Sequence, residues 1–267
     1  MNRKILPYVN YLLDNEPSPF CDYILCMELL KLDDKTIRES YEWAKQFKLY
    51  TEMADEQFPD GSWGDFYPMD TSAHVRKKIK ITNRSTIRRL HDLSLDMNDE
   101  MVSKTLELCR KIIKGEAPPT RDTIHTKQAF SVLYSFCPDD PLVAHVKAER
   151  TLSDEKERAY MIYKWDHGPF DICRLSDLIM PEDDRFVFWM CGLEDASHHK
   201  YFSAFMASET TPFLYALCDK LANPHDAITV KTNRYYAKVG QYSEDWNNDI
   251  KKKDVLLRII RLLNKCE

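Results

Sequence analysis

Glycine is scarce in this sequence, with six residues in 267. Turn-rich sheets and glycine-rich phosphate loops both need residues that tolerate positive φ, so the scarcity points to helices. None of the eight cysteines falls in a C-x-x-C pair, which excludes a zinc knuckle and a thioredoxin-type redox motif. Cys21, Cys26, Cys109, Cys137, Cys173, Cys191, Cys218 and Cys266 are expected to be free thiols in a reducing cytoplasm. No stretch approaches the ~20 apolar residues of a membrane span. The opening residues, MNRKILPYVNYLLDNEPSP, have a basic start but neither a long apolar run nor a small-residue cleavage site, so no signal peptide is expected. Positive charge is not in excess either. A net charge of −5 gives no reason to expect nucleic-acid binding by the chain as a whole.

What is present reads as an ordinary globular chain, 43% hydrophobic and 30% charged, with no low-complexity linker. A single domain over 1–267 is the expectation. Three segments share one pattern: Met27 to Phe47, Ile87 to Ile113 and Phe130 to Arg150. Each has leucines or aromatics at helical spacing, a short acidic turn, and a second amphipathic run. The turns hold Asp33 and Asp34, Asp96 to Asp99, and Asp139 and Asp140. An aspartate there accepts hydrogen bonds from the orphan amides of the following helix and favours its positive dipole end. Pro141 fits a first helical turn.

The unit is a helical hairpin, which cannot bury both faces alone and needs stacked neighbours. Typical helix and loop lengths allow roughly five or six hairpins. Later in the chain, PEDDRFVFWMCGL predicts a capped helix packed on all sides, and TTPFLYALCDKLA a helix opening with an N-cap and a proline. The closing run DIKKKDVLLRIIRLLNKC predicts an amphipathic helix with Leu256, Ile259, Ile260 and Leu263 on one face.

One short stretch departs from ordinary loop chemistry. QFPDGSWG, Gln57 to Gly64, sets a tryptophan on the far lip of a Pro-Asp-Gly turn. Gln57, Gly61 and Trp63 form Q-x-x-x-G-x-W, which resembles the core of the QW motif of squalene–hopene and oxidosqualene cyclases. Those cyclases share an α/α-toroid fold with protein prenyltransferase β subunits. The resemblance covers the chain from Leu6 to about Arg150, and the remainder in general character only. It implies an all-α toroid in which the glutamine amide caps backbone groups, with the tryptophan ring stacked on it as a clasp between helices.

The resemblance also implies where chemistry would lie. Class II terpene cyclases protonate their substrate with the middle aspartate of D-x-D-D. That motif is absent here, and the nearest stretch, Pro181-Glu182-Asp183-Asp184, begins with proline and leaves Asp183 and Asp184 for the role. No D-D-x-x-D pattern for magnesium diphosphate follows the other acidic pairs. Prenyltransferases bind zinc through Asp, a Cys two residues on, and a distant His. Asp171 and Cys173 have that spacing, with His225 or the pair His198 and His199 as the distant ligand. Against it stands a buried thiol beside a surface carboxylate, and no cofactor or metal is expected.

The densest basic run is His74 to Lys80, followed by Arg84, Arg88 and Arg89. By resemblance, Arg76, Lys77, Lys78 and Arg84 would bind a substrate diphosphate at the toroid mouth; by composition alone they form a solvated edge. Nucleic-acid binding would need interleaved aromatics, and the run has none. The clusters Phe186, Phe188, Trp189 and Phe202, Phe205 read as core before cavity lining. Two functions follow. One is an isoprenoid-handling toroid that takes a small apolar or diphosphate ligand, and the other is a non-catalytic binding scaffold on the same fold.

Overall fold

The computed structural model describes residues 2–63, 89–117, 124–143, 179–183, 186, 189, 190, 193, 194, 210–231, 242 and 247–266. They are all-α, with no strand assigned among the described residues. Among the described residues, the helices with defined bounds are α1 (Leu6–Asp14), α2 (Pro19–Ile24), α3 (Asp34–Lys45), α4 (Lys48–Asp55), α5 (Glu100–Lys114), α6 (Ile124–Phe136), α7 (Thr210–Leu221) and α8 (Asn248–Cys266). A 3₁₀ turn, Arg3–Ile5, leads into α1, and a π-helical turn, Leu25–Leu30, continues α2. No described helix is long and apolar enough to cross a membrane.

The chain divides into two compact units. Unit 1 comprises Met1–Phe47 and Ser153–Glu267, and unit 2 is Lys48–Leu152. In unit 1, α8 packs against α1 and α7, and α2 packs against α3. Its core is built from Phe20, Ile24, Leu25, Phe186, Trp189 and Leu214 around the apolar side chains of α8. The rings of Phe186 and Trp189 lie 6.0 Å apart, and Phe213 meets Trp189 edge-on at 6.0 Å. In unit 2, α5 packs against α6, and Leu106, Cys109, Ala129 and Leu133 on these helices are buried.

The acidic turns cap helices. Asp33 accepts from the N–H groups of Lys35 and Thr36, both at 3.1 Å, at the start of α3. Asp99 does the same for Met101 and Val102 at the start of α5. Asp140 accepts from the Leu142 N–H at 3.0 Å, with Pro141 in the first turn that follows. At its far end α5 stops at Gly115, whose φ of +74° lets Glu116 N–H reach back to the Lys111 carbonyl.

One element departs from its sequence pattern. The amphipathic signature of α8 is real: Leu256, Ile259, Ile260 and Leu263 are all buried. Its opposite face, with Asp254, Arg258 and Arg261 at i, i+4 and i+7, is turned inward as well. Asp254 and Arg258 are each 1% exposed. Burying ions is costly unless partners meet them, and here partners do.

Candidate functional site

Two polar constellations stand out, one in each unit. In unit 2 the residues Phe58 to Ser62 form a tight turn, closed by Phe58 N–H to Ser62 O at 2.8 Å and Gly61 N–H to Phe58 O at 2.9 Å. Gly61 adopts φ +90°, where an L side chain is strained. It also lies flat on α5: a Cβ at this position would sit 2.3 Å from the Lys104 carbonyl oxygen. Only glycine lets the turn approach this closely.

The flanking side chains use that approach. Gln57 Nε2 donates to the carbonyls of Gly61 (3.2 Å) and Met101 (3.0 Å), and lies 3.3 Å from Thr105 Oγ1. Thr105 Oγ1 is itself within 3.1 Å of the Gly61 carbonyl and 2.8 Å of that of Met101. The Trp63 ring is buried, and its indole N–H donates to the Met53 carbonyl on α4 at 2.7 Å. Tyr50, also on α4, donates its hydroxyl to the Asp99 carboxylate at 2.6 Å. Gln57, Gly61 and Trp63 are thus brought together, tying α4 and its turn to the first turns of α5. All of these contacts are structural.

In unit 1 the constellation centres on Tyr242. Its hydroxyl accepts from Arg261 Nη1 at 2.8 Å, and the Arg258 guanidinium lies 4.5 Å above its ring. Its N–H donates to Asp254 at 3.0 Å, and its carbonyl accepts from Ser18, the N-cap of α2, at 3.0 Å. Arg261 forks onto Glu28 through Nε (2.8 Å) and Nη2 (2.7 Å), and Arg258 pairs with Glu194 at 2.5 Å. Burial opposes the charge on Arg261, but the facing Tyr242, Glu28 and Glu194 outweigh it and hold its pKa above the ordinary range. Glu28 comes from the π-helical turn Leu25–Leu30. The sequence reading passes over this network. Its one visible signal is the polar face of α8, which looks the same in sequence whether water or carboxylates meet it.

The remaining candidates fall as follows. Asp183 closes the turn 181–183, where its carbonyl accepts from Phe186 N–H at 2.9 Å; Asp184 lies outside the described residues. His225 is exposed, with its backbone N–H on Asn223 Oδ1 at 3.0 Å, and its companions Asp171 and Cys173 lie outside the described residues, as do His198 and His199. Among the described residues no group of three or more His, Cys, Asp or Glu side chains is placed to hold a metal ion. Arg76, Lys77, Lys78 and Arg84 also lie outside them, as do Phe188, Phe202 and Phe205.

The described thiols Cys21, Cys26, Cys109, Cys137 and Cys218 are free and buried. Burial pushes Cys109 up to about 12 and holds Cys21 and Cys218 well above the usual thiol range. They are poor nucleophiles at neutral pH. Near α6, His91 Nε2 sits 2.7 Å from Ser135 Oγ, but Ser135 gives its own proton to the Val132 carbonyl at 2.8 Å.

No protein-family model, no curated protein and no solved structure matches the chain.

Proposed function

We propose that the protein is a non-catalytic binding scaffold on an α/α-toroid-type array of helical hairpins. The observation that carries this reading is the engagement of its acids and cations in internal locks. Asp33, Asp99 and Asp140 cap helices, and Glu28 and Glu194 serve as counter-ions to Arg261 and Arg258. An acid that protonates an alkene must be in its protonated form. Asp33 is held the other way: hydrogen bonds from the Thr36 hydroxyl and amide keep its carboxyl below the usual range. The buried free thiols support a reducing, cytoplasmic setting. The test is turnover. Farnesyl diphosphate with Mg²⁺, and squalene at mildly acidic pH, should yield no pyrophosphate and no cyclised product; accumulation of either overturns the scaffold reading.

A second reading is favoured by the turn at Gln57, Gly61 and Trp63, which ties α4 to α5, and by the resemblance of this motif to that of terpene cyclases. It proposes an isoprenoid or diphosphate ligand, with Arg76, Lys77, Lys78 and Arg84 binding the anion by charge-assisted hydrogen bonds. Titration calorimetry with a prenyl diphosphate and with pyrophosphate at two salt concentrations tests it. Salt-sensitive binding, lost when Arg76→Ala and Lys77→Ala are combined, supports this reading.

A further inference from the structure

The turn of unit 2 closes around a reactive stretch of backbone. Asp60 is followed directly by Gly61; Asp60 is exposed at the tip of the turn, and Gly61 is buried beneath it. An aspartyl carboxyl can be attacked by the amide nitrogen of the next residue, closing a five-membered cyclic imide. Glycine shields that nitrogen least, because it has no side chain. The pair is therefore a place where the backbone can rearrange, and the fold decides whether the two groups meet.

In the folded turn they are held apart. The Gly61 N–H, whose proton the attack must remove, donates to the Phe58 carbonyl at 2.9 Å. The Asp60 carboxylate is engaged by the next amide along, accepting from Ser62 N–H through Oδ1 at 2.9 Å. Gly61 itself is pinned. Its carbonyl accepts from Gln57 Nε2 (3.2 Å) and Thr105 Oγ1 (3.1 Å), and a Cβ on it would stand 2.3 Å from the Lys104 carbonyl oxygen. The rigid peptide plane between Asp60 and Gly61 cannot swing toward the carboxyl carbon while these bonds last.

We infer that Asp60 is a self-modification site gated by this turn: the closed turn protects it, an open turn lets it isomerise to isoaspartate, and the product keeps the turn open. The reaction balances without a co-reactant. Gly61 N bonds to Asp60 Cγ, and one carboxyl oxygen leaves as water with the amide proton and the carboxyl proton. Water then adds to the imide at the main-chain carbonyl of Asp60 and breaks its bond to Gly61 N. The chain now runs on through Cγ, the α-carboxylate is set free, and the mass is unchanged. The backbone has gained a methylene carbon. That carbon falls inside the loop that Phe58 N–H closes on Ser62 O at 2.8 Å, where Gly61 has no slack against α5. The isomerised chain cannot rebuild the same turn.

The test ages the full chain at mildly acidic pH in water enriched in heavy oxygen. Residue 60 is then mapped by mass spectrometry with electron-transfer fragmentation, which distinguishes isoaspartate from aspartate. Wild type in urea should form isoaspartate at least about tenfold faster than the folded chain, since only the open turn reacts. Trp63→Ala in buffer should approach the rate in urea. Gln57→Ala removes one tie and should fall between, which keeps the comparison available if Trp63→Ala does not fold. Each isoaspartate should carry a heavy oxygen from solvent. Isomerised molecules, separated by chromatography from unmodified molecules of the same aged sample, should exchange the amides of residues 100–114 faster. Equal rates in the folded chain and in urea, or no isoaspartate in either, overturn the inference. So does a product without heavy oxygen, or an isomerised chain that protects 100–114 as well as the unmodified one.

Discussion

At the turn 57–63, unit 2 fastens α4 and α5 with neutral groups: a glutamine amide, a threonine hydroxyl, an indole N–H and a glycine that lets the turn lie on the helix. Unit 1 fastens α8 with ions, two arginines set between carboxylates around one tyrosine. The two solutions differ in how they fail. A neutral clasp loses packing and a hydrogen bond when one member is removed, and the rest can turn to water. A buried ion network leaves a charge without its counter-ion when one member goes, yet it can be replaced as a pair by apolar residues at little cost.

The largest expected effect is in unit 2. Trp63→Ala should cost about 3–5 kcal/mol, by analogy with large-to-small core substitutions of aromatics. Hydrogen exchange should show the loss of protection in residues 100–114 before 248–263; an unchanged melting temperature would remove the clasp from the account. In unit 1, Glu194→Leu alone should cost a similar 3–5 kcal/mol, because Arg258 stays buried beside a missing counter-ion. The pair Glu194→Leu with Arg258→Met should recover most of that. If the double variant is no better than the single, the network is not an isolated ion lock, and the contrast between the units fails.

Gly61→Ala should follow at about 2–3 kcal/mol, from the left-handed backbone strain of roughly 1–2 kcal/mol and the displacement of the Lys104 carbonyl. Chemical denaturation of this variant against Gly115→Ala separates the two causes, since Gly115 shares the positive φ but has no atom near its Cβ position. The smallest effect is a pH dependence at Asp33. Its folded pKa lies below the ordinary 3.8, so its contribution is complete above that value and is lost as pH falls through the depressed one. Asp33→Ala should flatten the acid limb of the stability profile there without moving the plateau near neutrality by more than a cap's worth.

Much of the helical framework was legible along the chain. Asp33, Asp99 and Asp140 were recognisable as caps because capping is a contact over two or three residues, fixed by local spacing. Gln57, Gly61 and Trp63 could be singled out as a motif for the same reason, although their partners Met101 and Thr105 lie more than forty residues on. The division into two units was not legible: neither Phe47–Lys48 nor Leu152–Ser153 carries a break in composition. The chemistry of the candidate acids was only half legible, since a capping aspartate and a catalytic one differ in what surrounds them and not in letter.

The sequence by itself determined the helices that follow the acidic turns, their capping aspartates and the odd turn at 57–63, since each depends on neighbours within a few residues. Only the tertiary structure decided that the polar face of α8 turns inward, that Glu28 and Glu194 meet its arginines, and that Tyr242 sits between them. It also decided that the Asn248 side chain holds the backbone of Ile228 and Val230. Those outcomes bring together residues up to 233 positions apart. Whether a charge faces water or a counter-ion is then settled by what the rest of the chain packs against it.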